Sequence, residues 1–197
     1  MSLLGLTRRT AAALLLLGGL GLAAGAVAAE TFTVTDLAGR EVEIPKGAHK
    51  IILGEGRMFY ATVVLDREKP FEQLAAIGDD LEKFDPDTWN RYLERFPEAK
   101  DVPQIGAAAS SDFSVEKALD LDVDVLVVTL GFYEKIRESG IIDKLEKAGV
   151  PTVFVDFRER PTQNTVPSML LLGRIFGKEA QAQEFVDYYM RQMRKVY

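Results

Sequence analysis

Val123-Asp124-Val125-Leu126-Val127-Val128 is the clearest candidate for a buried strand in this chain, and it decides the fold class. A short and nearly continuous run of β-branched and aliphatic residues predicts a strand that is buried on both faces. Strands of this kind are typical of parallel sheets that helices cover on both sides. We therefore predict an α/β protein whose sheet is built around this strand.

Further strands and helices alternate on either side of this stretch. Apolar β-rich runs predict short strands at residues 51–53, 75–77 and 151–155, with an edge-like strand at 102–106. Apolar residues at helical spacing predict helices at 57–65, 87–96, 115–121 and 132–148, the last interrupted at Gly140. This alternation predicts a Rossmann-like lobe with a mainly parallel sheet flanked by helices.

The two ends of this lobe differ from its centre. Residues 31–35 and 40–44 alternate in polarity around a turn at 36–39, which predicts an N-terminal β-hairpin. Residues 163–176 and 178–197 have helical spacing on either side of Gly177, which predicts a long C-terminal helix with one interruption. We therefore divide the chain into an α/β lobe at 30–160 and a helical segment at 161–197.

Residues 1–29 have the pattern of a cleavable signal peptide. Arg8 and Arg9 precede an apolar run that ends in Ala26-Val27-Ala28-Ala29, the small residues that a signal peptidase accepts. A retained membrane anchor is the alternative, but glycines dilute the run and it ends in a cleavage site. We predict a periplasmic protein with no membrane insertion after cleavage. The arginine pair does not separate twin-arginine from general export.

Composition excludes several function classes. The formal net charge of −6 argues against nucleic acid or an anionic membrane as a partner. The absence of cysteine excludes disulfides, thiolate metal sites and cysteine nucleophiles. Because His49 is the only histidine, a metal site of several histidines is impossible. We predict no metal site, no cofactor and no catalytic residue.

Three predicted strand ends supply the candidate binding residues. Ligands of parallel α/β sheets bind at the carboxyl ends of the strands. The loops at 54–60, 106–111 and 129–133 offer a guanidinium, hydroxyl groups and aromatic rings, carried by Arg57, Tyr60, Ser110, Phe132 and Tyr133. This set suits the binding of a ligand. No loop pairs a nucleophile with a base, so we predict that the protein is not an enzyme. Core packing for the aromatic residues and a solvated position for Arg57 remain the alternatives.

Several stretches together resemble one known family. They are residues 33–45, 50–53, 103–106, 114–119, 122–128 and 149–153. In order and spacing they resemble the N-terminal part of class III periplasmic substrate-binding proteins, which serve ABC importers of ferric siderophores, haem and vitamin B12. The resemblance implies two α/β lobes joined by a long helix, with the ligand between them. It places the first lobe at 30–160 and the start of the linking helix at 178–197, and it implies that the second lobe is absent from this chain.

The resemblance also implies roles for individual residues. Arg57, Tyr60, Ser110, Phe132 and Tyr133 match ligand-facing stretches of the relatives. The implied ligand is an iron–siderophore complex, haem or cobalamin. Hydroxamate binders place an arginine where this chain has alanines, which disfavours a hydroxamate ligand. The implied protein partner is the permease of the importer, contacted through the acidic residues Glu98 and Asp101. A solvated acidic turn is the alternative for that pair.

Two other hypotheses remain open from the sequence. The first is an exported α/β enzyme that uses carboxylates such as Glu55 and Asp156 as its base. The second is an interaction module formed by the single lobe.

The insertion at residues 66–101, which contains Trp89, is interpreted as a packed surface helix, because an aromatic residue at helical spacing usually belongs to a core.

Overall fold

The computed structural model describes residues 30–196, so the predicted signal peptide lies outside the described residues. The described part is an α/β lobe built on one parallel sheet. Its strands are β3 (Ile51–Leu53), β4 (Leu74–Gly78), β5 (Gln104–Ile105), β6 (Val125–Thr129) and β7 (Thr152–Val155), in the order β5-β4-β3-β6-β7. All four pairings are parallel. The predicted fold class is confirmed.

The strand that decided the fold class lies inside the sheet. Every residue of β6 is buried, and the strand pairs with β3 on one side and β7 on the other. Val125 and Val127 belong to one hydrophobic cluster, while Leu126 and Val128 belong to a second one. Because alternate side chains of a strand point to opposite faces, both faces of the sheet are covered, as the apolar run predicted.

A separate hairpin precedes the sheet. Strands β1 (Thr31–Thr35) and β2 (Glu41–Pro45) pair antiparallel, and the turn between them places Gly39 at a φ of 77°. This left-handed conformation suits glycine. The buried carboxylate of Asp36 accepts a hydrogen bond from the backbone N–H of Phe154, and the N–H of Leu37 donates to the Phe154 carbonyl. The predicted hairpin is therefore fixed to strand β7.

The helices lie on both sides of the sheet. They are α1 (Phe59–Thr62), α2 (Asp80–Phe84), α3 (Pro86–Arg95), α4 (Val115–Asp120), α5 (Tyr133–Glu138), α6 (Ile141–Lys147), α7 (Pro161–Phe176) and α8 (Glu179–Met193). Short 3-10 turns occur at Gly56–Met58, Pro97–Asp101 and Leu130–Phe132. None of the helices within residues 30–196 is both long enough and apolar enough to cross a bilayer.

Several helix boundaries agree with the sequence patterns. Gly140 interrupts the segment between α5 and α6 at a φ of 71°, and Gly177 separates α7 from α8 at a φ of 62°. The Ser114 hydroxyl accepts a hydrogen bond of 3.1 Å from the Lys117 N–H, so Ser114 caps α4 as predicted. Trp89 is buried in the first hydrophobic cluster, which agrees with its interpretation as a packing residue.

Three predicted boundaries are wrong. Helix α3 is capped by Asp85 rather than Asp87, because Pro86 begins the helix and the Asp85 carboxylate accepts from the Thr88 N–H. The helix predicted at 57–65 is instead a 3-10 turn at Gly56–Met58 followed by the short α1. Helix α7 begins at Pro161, whose fixed φ also suits the first turn.

Candidate functional site

The order of the strands creates a crevice between β3 and β6. The chain runs from β3 outward to β4 and β5 on one side, then returns to β6 and β7 on the other. The carboxyl ends of β3 and β6 therefore lie at the point where the strand order reverses. Crevices at this position bind ligands in open α/β sheets.

A pocket of about 260 Å³ opens at this crevice. Its lining is largely apolar, with two guanidinium groups and one carboxyl group. The lining residues are Glu55, Arg57, Met58, Tyr60, Ala61, Thr129, Phe157 and Arg158. Pockets with an apolar lining and a few convergent polar groups are typical small-molecule sites.

The loop after β3 is held by close backbone packing. A Cβ atom on Gly56 would lie 2.1 Å from the carbonyl oxygen of Gly78, so only glycine fits there. The Gly56 N–H donates to the buried carboxylate of Asp80, which begins helix α2. These contacts fix the backbone on which Glu55 and Arg57 are carried.

Replacing Gly56 with alanine is expected to lower the free energy of unfolding by roughly 2–3 kcal/mol, because the new methyl group would overlap a backbone atom that cannot move alone. Gly131→Ala is the matched control, since its methyl group would meet the carboxylate end of the flexible Glu159 side chain. The control is expected to lose less than about 1 kcal/mol. Urea unfolding measures the stability of both variants, and equal losses would contradict the conclusion that only glycine fits at position 56.

Arg57 lies at the rim of the pocket, oriented by helix α2. Its Nε donates to Asp80 Oδ2 at 2.8 Å, and its guanidinium carbon lies 5.3 Å from the centre of the Phe84 ring. The side chain is 36% exposed, whereas that of Asp80 is 6% exposed. Because Asp80 accepts its hydrogen bond from the Nε atom, the terminal N–H groups of the Arg57 guanidinium remain available to a ligand.

Tyr60 also lies in the pocket, and a hydrogen bond connects it to the residue that caps helix α3. Its hydroxyl donates to Asp85 Oδ2 at 2.5 Å. Partial burial and the hydrogen bond to the Asp85 carboxylate raise the pKa of Tyr60 to about 12. The phenol is therefore neutral at ordinary pH and contributes its ring and hydroxyl oxygen rather than a negative charge.

Glu55 forms the buried carboxyl group of the pocket. The residue is 3% exposed, and its Oε2 accepts a hydrogen bond of 2.9 Å from the Thr129 N–H. Burial raises the pKa of Glu55 to about 7; nearby Asp80 adds to the shift, and the bonds to Thr129 and the charge of Arg158 oppose it. Oε1 has no hydrogen-bond partner within the described part of the chain. The sequence had marked Glu55 only as a base for the enzyme hypothesis.

Phe157 and Arg158 are pocket residues that the sequence analysis missed. They follow β7, whose carboxyl end lies at the same edge of the sheet as those of β3 and β6. The Asp156 carboxylate positions their turn by accepting from the backbone N–H groups of residues 158, 159 and 160 at 2.8–3.0 Å. The strand-end rule could have found both residues, because the strand at 151–155 had been predicted.

Asp156 itself is committed to structure. Burial acts to raise its pKa, but hydrogen bonds from three backbone N–H groups and the Asn164 side chain outweigh it, so the pKa is lowered. The residue is fully buried. An ionised carboxylate that already accepts these bonds is poorly suited to act as the base of the enzyme hypothesis.

The other predicted ligand residues lie outside the pocket lining. Ser110 lines a separate depression with Ala108 and Ser139, and its hydroxyl accepts from the Asp112 N–H. Phe132 and Tyr133 pack against the second hydrophobic cluster, and the Tyr133 ring lies edge-on to Phe154 at 5.0 Å. The structure thus brings Arg57 and Tyr60 together, but not the other three.

The acidic pair predicted to contact a permease lies at the surface. Glu98 and Asp101 are both exposed on the 3-10 turn that precedes β5.

Within residues 30–196, no group of three His, Cys, Asp or Glu side chains is placed to hold a metal ion.

A family comparison decides what class of protein has this architecture. Residues 63–196 match the model of a family described as periplasmic binding protein, and this match spans more than half of the chain. The chain belongs to the periplasmic binding protein family. Membership agrees with the resemblance that the sequence motifs had indicated. No curated protein sequence is similar enough to match the chain.

Several solved structures share this fold, and two of the three described below are periplasmic binding proteins. The TroA-like protein FepB from Veillonella parvula has a TM-score of 0.77 and 24% identity, covering 83% of this chain and 48% of that one. MolA of Haemophilus influenzae, bound to molybdate, has a TM-score of 0.62 and 18% identity, covering 79% and 49%. Staphylococcus aureus SirA, complexed with staphyloferrin B, has a TM-score of 0.55 and 20% identity, covering 81% and 47%.

The extent of these matches defines what part of the binding-protein fold is present. The chain spans about half the length of each of the three solved structures. It accounts for one α/β lobe, as the sequence motifs predicted.

Proposed function

We propose that this protein is the solute-binding component of an ABC importer in the periplasm, and that it captures an anionic iron chelate. The observation that carries the proposal is the pocket where the strand order reverses, with Arg57 and Arg158 beside the apolar surfaces of Met58 and Phe157. Guanidinium groups suit the oxygen-rich anionic face of a chelate, and the apolar walls suit its hydrocarbon part.

Family membership supports solute binding over catalysis. Two of the similar structures hold small solutes, staphyloferrin B and molybdate. The enzyme hypothesis has less support, because Asp156 is committed to backbone N–H groups and Glu55 lacks a catalytic partner among the described pocket residues.

Delivery to a permease is the second part of the proposal. Glu98 and Asp101 lie on one exposed turn, where carboxylates are free to meet cationic side chains of a membrane partner. Charge complementarity of this kind sets association rate and partner choice more than affinity. These residues are outside the ligand pocket, so the proposal assigns them to docking alone.

A charge series of chelates tests the ligand class. Ferric enterobactin and ferric citrate serve as anionic probes, ferrichrome as an uncharged hydroxamate, and haemin and cyanocobalamin as the other classes. Isothermal titration calorimetry is expected to show binding of an anionic ferric chelate, and binding of ferrichrome at least about tenfold weaker, since the loss of one charged contact is worth about 1.4 kcal/mol. Binding of none of these probes, or tightest binding of an uncharged one, would overturn the proposal.

A further inference from the structure

Glu55 has a carboxyl oxygen that the protein leaves without a partner. Oε2 is satisfied by the Thr129 N–H at 2.9 Å, but Oε1 is buried and unbonded among the described residues. Buried polar atoms are almost always hydrogen-bonded, so an unbonded oxygen in a pocket wall requires an explanation. Because Glu55 lines the pocket, a bound ligand is the group that can reach it.

The charges around Glu55 favour an anion over a cation. Helix α2 contributes Asp80, the segment after β7 contributes Arg158, and the loop of Glu55 contributes Arg57. Asp80 is paired with Arg57 through the Nε atom at 2.8 Å. Arg158 is exposed and has no side-chain partner in the part of the chain that the structure describes. When Glu55 is protonated, Arg57, Arg158 and Asp80 together carry a net positive charge. When Glu55 is ionised, its negative charge cancels that net charge.

The remaining neighbours do not change this balance. Thr129 at the end of β6 provides its N–H and its hydroxyl, which are both uncharged, and Tyr60 on α1 is a neutral phenol. Asp156 after β7 is directed to backbone N–H groups and to Asn164. Protonation of Glu55 is therefore the change that converts the pocket from balanced to cationic.

We propose that Glu55 is a specificity-determining residue of this pocket, which in its protonated form donates a hydrogen bond from Oε1 to an anionic oxygen of the ligand. This inference rests on the proposed function. The proton comes from solvent when the ligand binds and returns to solvent when the ligand leaves. The same anionic face contacts Arg57 and Arg158, so the ligand is held by two cationic donors and one neutral donor.

This arrangement has a thermodynamic consequence. An ionised Glu55 repels an anionic ligand and offers it no donor, so binding and protonation favour each other. Burial has already raised the pKa of Glu55 to about 7, so the proton is available near neutral pH. Affinity for an anionic chelate should fall as pH rises above this value.

Calorimetry at several pH values tests the inference with ferric enterobactin as the probe. Between pH 6 and pH 8 the dissociation constant of the wild-type protein is expected to rise about tenfold, the change that one proton produces per pH unit above the pKa. The heat of binding should differ between phosphate and Tris buffers, because each proton that the complex takes up is released by the buffer. The difference should correspond to the uptake of up to about one proton. Glu55→Gln keeps an acceptor for Thr129 and a permanent N–H donor, so it should bind at pH 8 as tightly as wild type does at pH 6.

Glu94→Gln is the matched control, because it removes the same charge from an exposed position of α3 outside the pocket lining. It should keep the wild-type pH dependence. If wild type binds with an affinity independent of pH and takes up no proton, or if Glu55→Gln keeps the wild-type slope, the inference is wrong while the proposed function stands. If no probe binds at any pH, the proposed function fails and this inference fails with it. The proton count uses wild type alone, so it decides the matter even if a variant does not fold.

Discussion

Replacing Asp36 with alanine is expected to lower the free energy of unfolding by about 3–5 kcal/mol, the range for removing one partner of a buried ion pair. The side chain of Asp36 is fully buried, and its Oδ2 lies 2.8 Å from a terminal nitrogen of Arg40, whose side chain is 20% exposed. The carboxylate also accepts from the backbone N–H groups of Ala38, Arg40 and Phe154. Its removal leaves these three N–H groups without their acceptor, and the Arg40 guanidinium keeps only the Thr152 carbonyl and the Glu146 carboxylate as partners.

Urea unfolding of Asp36→Ala measures this loss. Arg40→Met removes the cation from the same pair and leaves the carboxylate buried, so it should also destabilise the protein strongly. Glu41→Gln, on the adjacent strand β2, is an exposed control that should change the stability by less than about 0.5 kcal/mol. A loss of less than about 1 kcal/mol for Asp36→Ala would show that the hairpin is not fixed to β7 through this carboxylate.

The stability of the Glu55→Gln variant relative to wild type is expected to rise by roughly 3 kcal/mol between pH 4.5 and pH 8. Burial raises the pKa of Glu55 from 4.5 to about 7. The folded protein binds this proton more tightly than the unfolded chain, so the contribution is complete below pH 4.5 and is lost as pH rises through 7. Wild type loses this stability and the variant, which has no carboxyl group at this position, does not.

Denaturant unfolding of both proteins across this pH range gives the difference directly. Glu94→Gln again serves as the control, since it removes the same charge from an exposed position outside the pocket. A difference between Glu55→Gln and wild type that changes by less than about 1 kcal/mol over the range would contradict the raised pKa.

The fold could be predicted from the sequence because its signals are local. The run at 123–128 is apolar on both faces from Val125 onward, which specifies a strand covered on both sides. Gly140 and Gly177 interrupt helices through left-handed backbone conformations that glycine adopts readily. The boundary at Asp85 was missed because Asp85 and Asp87 are both acceptable caps by composition, and only Pro86 distinguishes them.

The site was predicted less completely because it depends on contacts between distant segments. The strand-end rule correctly placed Arg57 at the crevice and, with it, Tyr60. The rule specifies the edge of the sheet but not the direction of each side chain, so it also selected Tyr133, which packs against Phe154 instead. The burial of Glu55 depends on the Thr129 N–H, a partner 74 residues away that no local pattern reveals.

The central claim is that the crevice between β3 and β6 binds the ligand, and Arg158 tests it most directly. The residue lines the pocket, and its side chain makes no hydrogen bond or ion pair within residues 30–196, so Arg158→Gln should leave folding unchanged. Arg160→Gln is the control, because Arg160 is also exposed, lies two residues away and is not part of the pocket lining.

The measurement is the dissociation constant of ferric enterobactin at pH 6 for wild type and both variants. Arg158→Gln is predicted to weaken binding about tenfold or more, since a hydrogen bond to a charged group contributes about 1.5–3 kcal/mol. Arg160→Gln is predicted to stay within about twofold of wild type, because an exposed charge outside the site is screened. Equal dissociation constants for the two variants would place the ligand elsewhere and contradict the account.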